Sequence, residues 1–100
     1  MYDTYLKEFL QSLSLRGCSE KTIKGYNLVI NNFFKGVSKD LKEINIRDIR
    51  GYFIGEKEKG NKESTIVTKI NVIKSFFKWL TIEEVIISLA LIKIQITLTD

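Results

Sequence analysis

Lysines, asparagines and small hydroxyls recur at helical spacing in two stretches of this 100-residue chain. In the first, Lys21, Lys24, Asn31, Asn32 and Lys35 fall on one side of a helix, with Leu28 among them. In the second, Thr68, Asn71, Lys74, Ser75 and Lys78 share a side, and Lys69 lies on its flank. These residue types suit phosphates and base edges. Lysine supplies a point charge, asparagine a two-point partner for adenine, and hydroxyls bond phosphate oxygens. Ser19 and Ser64, each placed to cap a helix, would add backbone N–H groups and the positive end of a helix dipole. The same lysines also suit a plain solvated helix face, and a single surface leucine is ordinary.

Other chemistries find little material. There is no histidine, which removes the usual general base and the commonest zinc ligand, and one cysteine, Cys18, excludes an internal disulfide. No metal, cofactor or small-molecule ligand is expected. The acidic pairs Glu56-Glu58 and Glu83-Glu84 read as solvent-facing, without a pocket to shift them for glycosidase-type work. Gly55 and Gly60 lack the strand and the Lys-Ser/Thr pair of a phosphate loop. Tyr26 and Tyr52 fall on core stripes, Trp79 at a core edge, and Cys18 reads as a structural thiol. A binding module, not an autonomous enzyme, is the expectation.

Four segments with a 3.6-residue apolar period must position the two polar faces. The first runs from about Tyr2 to Leu15 and stops at Gly17; the second runs from a Ser19 cap to about Lys35. Asn45 caps the third, with Asp48 near its positive end, and Ile46, Ile49, Tyr52 and Phe53 form its buried face. Residues 55–61 hold no apolar side chain and read as a fraying end plus loop. Ser64 caps the fourth, which buries Ile66, Ile70, Ile73, Phe77 and Leu80. Thr81 with Glu83 and Glu84 fits the start of a short fifth helix, and Ile92, Ile94, Ile96 and Leu98 alternate as in an extended tail. The fold expected is all-α, a compact orthogonal bundle of four main helices.

Proline is absent, consistent with long helices joined by glycine and asparagine turns. The net charge of +4 is unevenly spread: residues 19–39 and 62–80 each carry +3, while the remaining segments are neutral or acidic. No signal peptide is legible at Met1–Tyr5 and no apolar run approaches the ~20 residues of a membrane span. With a free thiol, that composition suggests the cytoplasm and no membrane partner.

The stretches Leu6–Leu10, Ser19–Tyr26 and Leu41–Phe53, and above all Lys62–Leu80, resemble the N-terminal core-binding, SAM-like domain of tyrosine recombinases and phage integrases. The resemblance spans roughly residues 4–94. It implies a four-helix half-clamp on duplex DNA, with the second and fourth helices facing the DNA. By position it adds Thr22, Asn27, Ser64 and Thr65 to the contact set of Lys21, Lys24, Leu28, Asn31, Thr68, Lys69, Asn71, Lys74, Ser75 and Lys78. Family members often carry arginine near Thr68 and a basic residue at Asn27 and Leu28, so this chain departs from the pattern there. The catalytic tyrosine and its helpers belong to a further domain in that family, and none of the four tyrosines here inherits the role.

The expected organisation is a SAM-like domain over residues 1–88 and a linker, 89–100, toward a catalytic domain this chain lacks. Its partners would be duplex DNA at a recombination site, that catalytic domain, and neighbouring recombinase protomers. Two other readings stay open: a helical protein–protein interaction module, and a non-catalytic recombination factor with the same fold. A stand-alone helix-turn-helix repressor fits the long helices poorly.

Overall fold

The computed structural model describes residues 2–83, and four helices occupy the four periodic segments. These are α1 (Asp3–Leu15), α2 (Glu20–Gly36), α3 (Ile46–Glu58) and α4 (Glu63–Ile82), with a 3-10 turn at Leu41–Glu43 before α3. The described residues form an all-α bundle. The extended tail, most of the fifth-helix segment and the boundary at residue 88 lie outside the described residues.

Local chemistry sets most of the helix ends. Ser19 Oγ accepts from the Thr22 amide at 3.2 Å and so caps α2. Asn45 and Asp48 cap α3 reciprocally: Asn45 Oδ1 accepts from the Asp48 amide at 3.1 Å, and Asp48 Oδ2 accepts from the Asn45 amide at 2.9 Å. The Asn45 backbone N–H, with Lys39 beside it, holds the Asp48 carboxyl below its usual range. α1 and α3 stop in the same way. Gly17 and Gly60 take φ values of +86° and +91°, and each bonds back three residues, while the next residue bonds back five. In α1 that next residue is Cys18, half-buried against the core, which accounts for the thiol structurally.

Three sequence expectations are corrected. Ser64 is not the cap of α4: the Gly60–Asn61 turn starts the helix earlier, Lys62 takes the cap position without a side-chain bond, and Ser64 lies inside the first turn. Residues 55–58 are helical, and Glu56 is buried rather than solvent-facing, because α3 continues alongside α4. Thr81 does not open a new helix. With no glycine or proline to stop it, α4 runs through Thr81, whose hydroxyl donates to the Phe77 carbonyl at 3.0 Å.

α4 is the central element, packed against α1, α2 and α3. Being covered on several sides, it buries a wider arc than one stripe: Val72, Ile73, Phe76, Phe77 and Leu80 are buried, while Ile66 and Ile70 lie half-covered at the edge. Phe76 is the hub, with ring centroids 5.3 Å from Phe9 of α1 and 6.2 Å from Phe34 of α2. Phe33 links α2 to α3 through Tyr52 at 5.1 Å and Phe53 at 6.4 Å. Each fully buried ring or aliphatic side chain contributes about 1.5–3 kcal/mol of transfer free energy. That anchoring leaves the outer faces of α2 and α4 free to carry polar residues at no cost to the core.

Candidate nucleic-acid interface

On α2 the core claims Ile30, Phe33 and Phe34, and helical geometry sends Lys21, Lys24, Leu28 and Lys35 to the opposite side. All four are exposed, and α2 has no acidic residue after Glu20. At ~1.5 Å rise per residue, Lys21 and Lys35 stand about 21 Å apart with Leu28 midway. Thr22 is exposed on the first turn, its hydroxyl accepting from Ser19 Oγ at 3.0 Å.

Asn31 and Asn27 are engaged within the fold. The Tyr2 hydroxyl donates to Asn31 Oδ1 at 2.6 Å, and Asn31 Nδ2 donates to the Asn27 carbonyl and to Asn27 Oδ1, both at 2.9 Å. Tyr2 also stacks on Phe34, centroids 4.2 Å apart. This pair of asparagines therefore ties the start of α1 to the middle of α2. Burial, and secondarily the charge of Asp3, pushes the Tyr2 hydroxyl pKa up.

On α4 the polar line runs Ser64, Thr68, Asn71, Ser75 and Lys78, spaced four, three, four and three residues apart on one side of the helix. Ser64, Thr65, Thr68, Asn71 and Lys78 are exposed, and Lys74 and Ser75 are half-buried. Thr68 Oγ1 donates to the Ser64 carbonyl at 3.0 Å, so its proton is committed to its own helix. No side chain caps the first turn of α4, whose N–H groups are left for solvent or an anion, although Glu63 there supplies opposing charge.

Lys69 stands apart from this line. Its Nζ is 2.8 Å from Glu56 Oε1, and Lys59 Nζ is 3.2 Å from Oε2. The Lys69 hydrogen bond, followed by that of Lys59, holds the Glu56 carboxyl below its usual range against the opposing effect of burial. Burial first, and then the charge and hydrogen bond of Glu56, pushes the Tyr52 hydroxyl up. The expectation from sequence was a solvent-facing Glu56, and the structure buries it. Its signal was available: Ile49, Phe53 and Glu56 repeat at four and three residues, which places a carboxylate on the core stripe in need of a cation.

Ser75, Lys78, Trp79 and Ile82 of α4 line an open groove together with Tyr26 of α2 and residues at the end of α1. Trp79 is half-buried there, its ring 5.7 Å from Phe9 and 6.4 Å from Phe76, as a core edge. Tyr26 lies on the core side of α2, so the groove joins the end of the α4 line to that side and to the end of α1, not to the lysines of α2. Among the described residues there is no cluster able to hold a metal ion, and no helix is long and apolar enough to cross a membrane.

Neither the curated proteins nor the solved structures gave a match to the chain. Residues 5–87 match the family model described as phage integrase, N-terminal SAM-like domain. That span includes most of α1, all of α2 and α3, and all of α4 with the polar residues described above. The chain belongs to the family of phage integrase N-terminal SAM-like domains.

Proposed function

We propose that the chain is a duplex-DNA-binding module of a phage-integrase-type tyrosine recombinase, gripping the recombination site as one half of a clamp whose other half is a catalytic domain. The observation that carries the reading is the acid-free side of α2, where Lys21, Lys24 and Lys35 are exposed along about 21 Å of helix. Family membership supports it, as does the polar line along α4. Lys21, Lys24, Lys35 and Lys78 supply phosphate contacts, with Thr22, Ser64, Thr65, Asn71, Lys74 and Ser75 alongside. Lys69, Asn27, Asn31 and Thr68 contribute chiefly by holding the framework, given the partners they already have.

A surface with a handful of lysines binds non-specifically with a Kd on the order of 10⁻⁴–10⁻⁶ M at physiological salt. Tethering to a second DNA-binding domain would raise that through effective concentration. The test is an amide NMR titration of the chain with a short duplex at low and at raised salt. Shifts confined to residues 21–35 and 64–78 that fade with salt uphold the reading. No shifts at low salt and near-millimolar duplex would overturn it in favour of a protein-interaction module.

A further inference from the structure

Leu28 is 62% exposed although it lies at the middle of an amphipathic helix. Helical spacing puts Lys21 and Lys24 on the same side before it and Lys35 after it. Surface leucines are common, but this one has long cations at both ends of its face and no acid on it. A protein partner for such a face would have to be strongly acidic with an apolar spot at its centre. A duplex meets both demands at once.

Resting on the DNA-binding reading above, we infer that Leu28 is a base-reading residue that contacts the 5-methyl group of thymine in the major groove. The geometry selects this group. An α-helix about 10–12 Å across fits a major groove about 12 Å wide and not a minor groove of about 6 Å. A residue in the middle of a helix face therefore meets the major-groove floor, where the thymine methyl is the apolar group on offer. Lys21 and Lys35, each about 10 Å along the axis from Leu28, reach outward to the phosphates on either side. The lysines thus position the helix, and the leucine supplies a preference for A·T pairs over G·C pairs.

The experiment is fluorescence anisotropy with the full chain, a short alternating dA·dT duplex, and the same duplex carrying deoxyuridine for thymidine, which lacks only the methyl groups. The native chain should bind the thymine duplex about fourfold tighter, the value of one buried methyl-sized group. In Leu28→Ala that ratio should fall to about one, while the salt dependence of binding, set by the lysines, stays as in the native chain. The substitution removes an exposed side chain, so the helical circular dichroism should not change. Equal, salt-dependent binding of both duplexes by the native chain would overturn the inference and leave the DNA-binding reading standing. A thymine preference that survives in Leu28→Ala would overturn it too, placing the methyl contact elsewhere. Binding to neither duplex at low salt would remove both.

Discussion

Lys69 of α4 reaches back 2.8 Å to Glu56 of α3, and this pair joins the end of one helix to the beginning of the next across the tight Gly60–Asn61 turn. The Glu56 side chain is only 9% exposed and that of Lys69 23%, so the pair is shielded more than a surface salt bridge. Removing Glu56 would leave Lys69 half-buried and unpaired, and removing Lys69 would leave the buried carboxylate with only the exposed Lys59. Lys69→Ala and Glu56→Gln should each lower unfolding free energy by about 2 kcal/mol. The loss in a double variant should fall short of the two single losses added together. Urea denaturation of the four proteins measures this, and strict additivity would show that the contact has no energetic role.

The same carboxylate ties stability to acid. Lys69, then Lys59, depresses the folded pKa of Glu56 below its ordinary 4.5, so the unfolded chain takes up the proton first as pH falls. The stabilisation is therefore complete above the unfolded value and is lost as pH drops through the folded one. Asp48 shifts in the same direction through the Asn45 amide and Lys39. Urea midpoints should hold steady from neutral pH to about 5 and then decline. In Glu56→Gln the decline should be shallower, and an unchanged profile would contradict the assignment.

Gly36 is required by a ring rather than by its backbone angles. A methyl group at this position would lie 2.8 Å from Cε1 of Tyr52. That ring is held edge-on against Phe33 and Phe53, at 5.1 Å from each, and cannot simply swing away. Gly36→Ala should therefore destabilise by about 1–3 kcal/mol despite the better helix propensity of alanine. If the ring is the obstacle, Gly36→Ala should cost less in a Tyr52→Leu background than in the native chain. Thermal melts of the native chain, both single variants and the double variant decide it.

What the sequence revealed and what it hid follow from one distinction. Caps and stops are local, so Ser19, Asn45 and Gly17 announced their helix ends from neighbouring residues alone. Burial on α4 depends on how many neighbours cover it. A single stripe found Ile73, Phe77 and Leu80 but not Val72 or Phe76, and Phe76 meets rings of both α1 and α2. The polar faces were legible as faces, because periodicity fixes which side of a helix a residue occupies. The commitments of Lys69, Asn31 and Thr68 were not, since each depends on a partner brought close by the turn, the bundle or the helix itself.

That separation of exposed from committed residues makes a prediction about salt. Each lysine that neutralises one phosphate releases counterions, so its loss reduces the slope of log affinity against log salt by about one unit. Lys24→Ala and Lys78→Ala should each do so while leaving urea stability close to that of the native chain, because both side chains are exposed. Asn31→Ala should behave in the opposite way. It strips the Tyr2 hydroxyl and Asn27 of their partner and should cost about 1 kcal/mol of stability, with the salt slope unchanged. Titrating a fluorescent duplex at several salt concentrations, with urea curves on the same preparations, reads both quantities. Should Asn31→Ala weaken duplex binding at full stability, the asparagine belongs to the DNA contact after all. If instead Lys24→Ala and Lys78→Ala leave the slope untouched, the phosphates lie against some other face of the bundle.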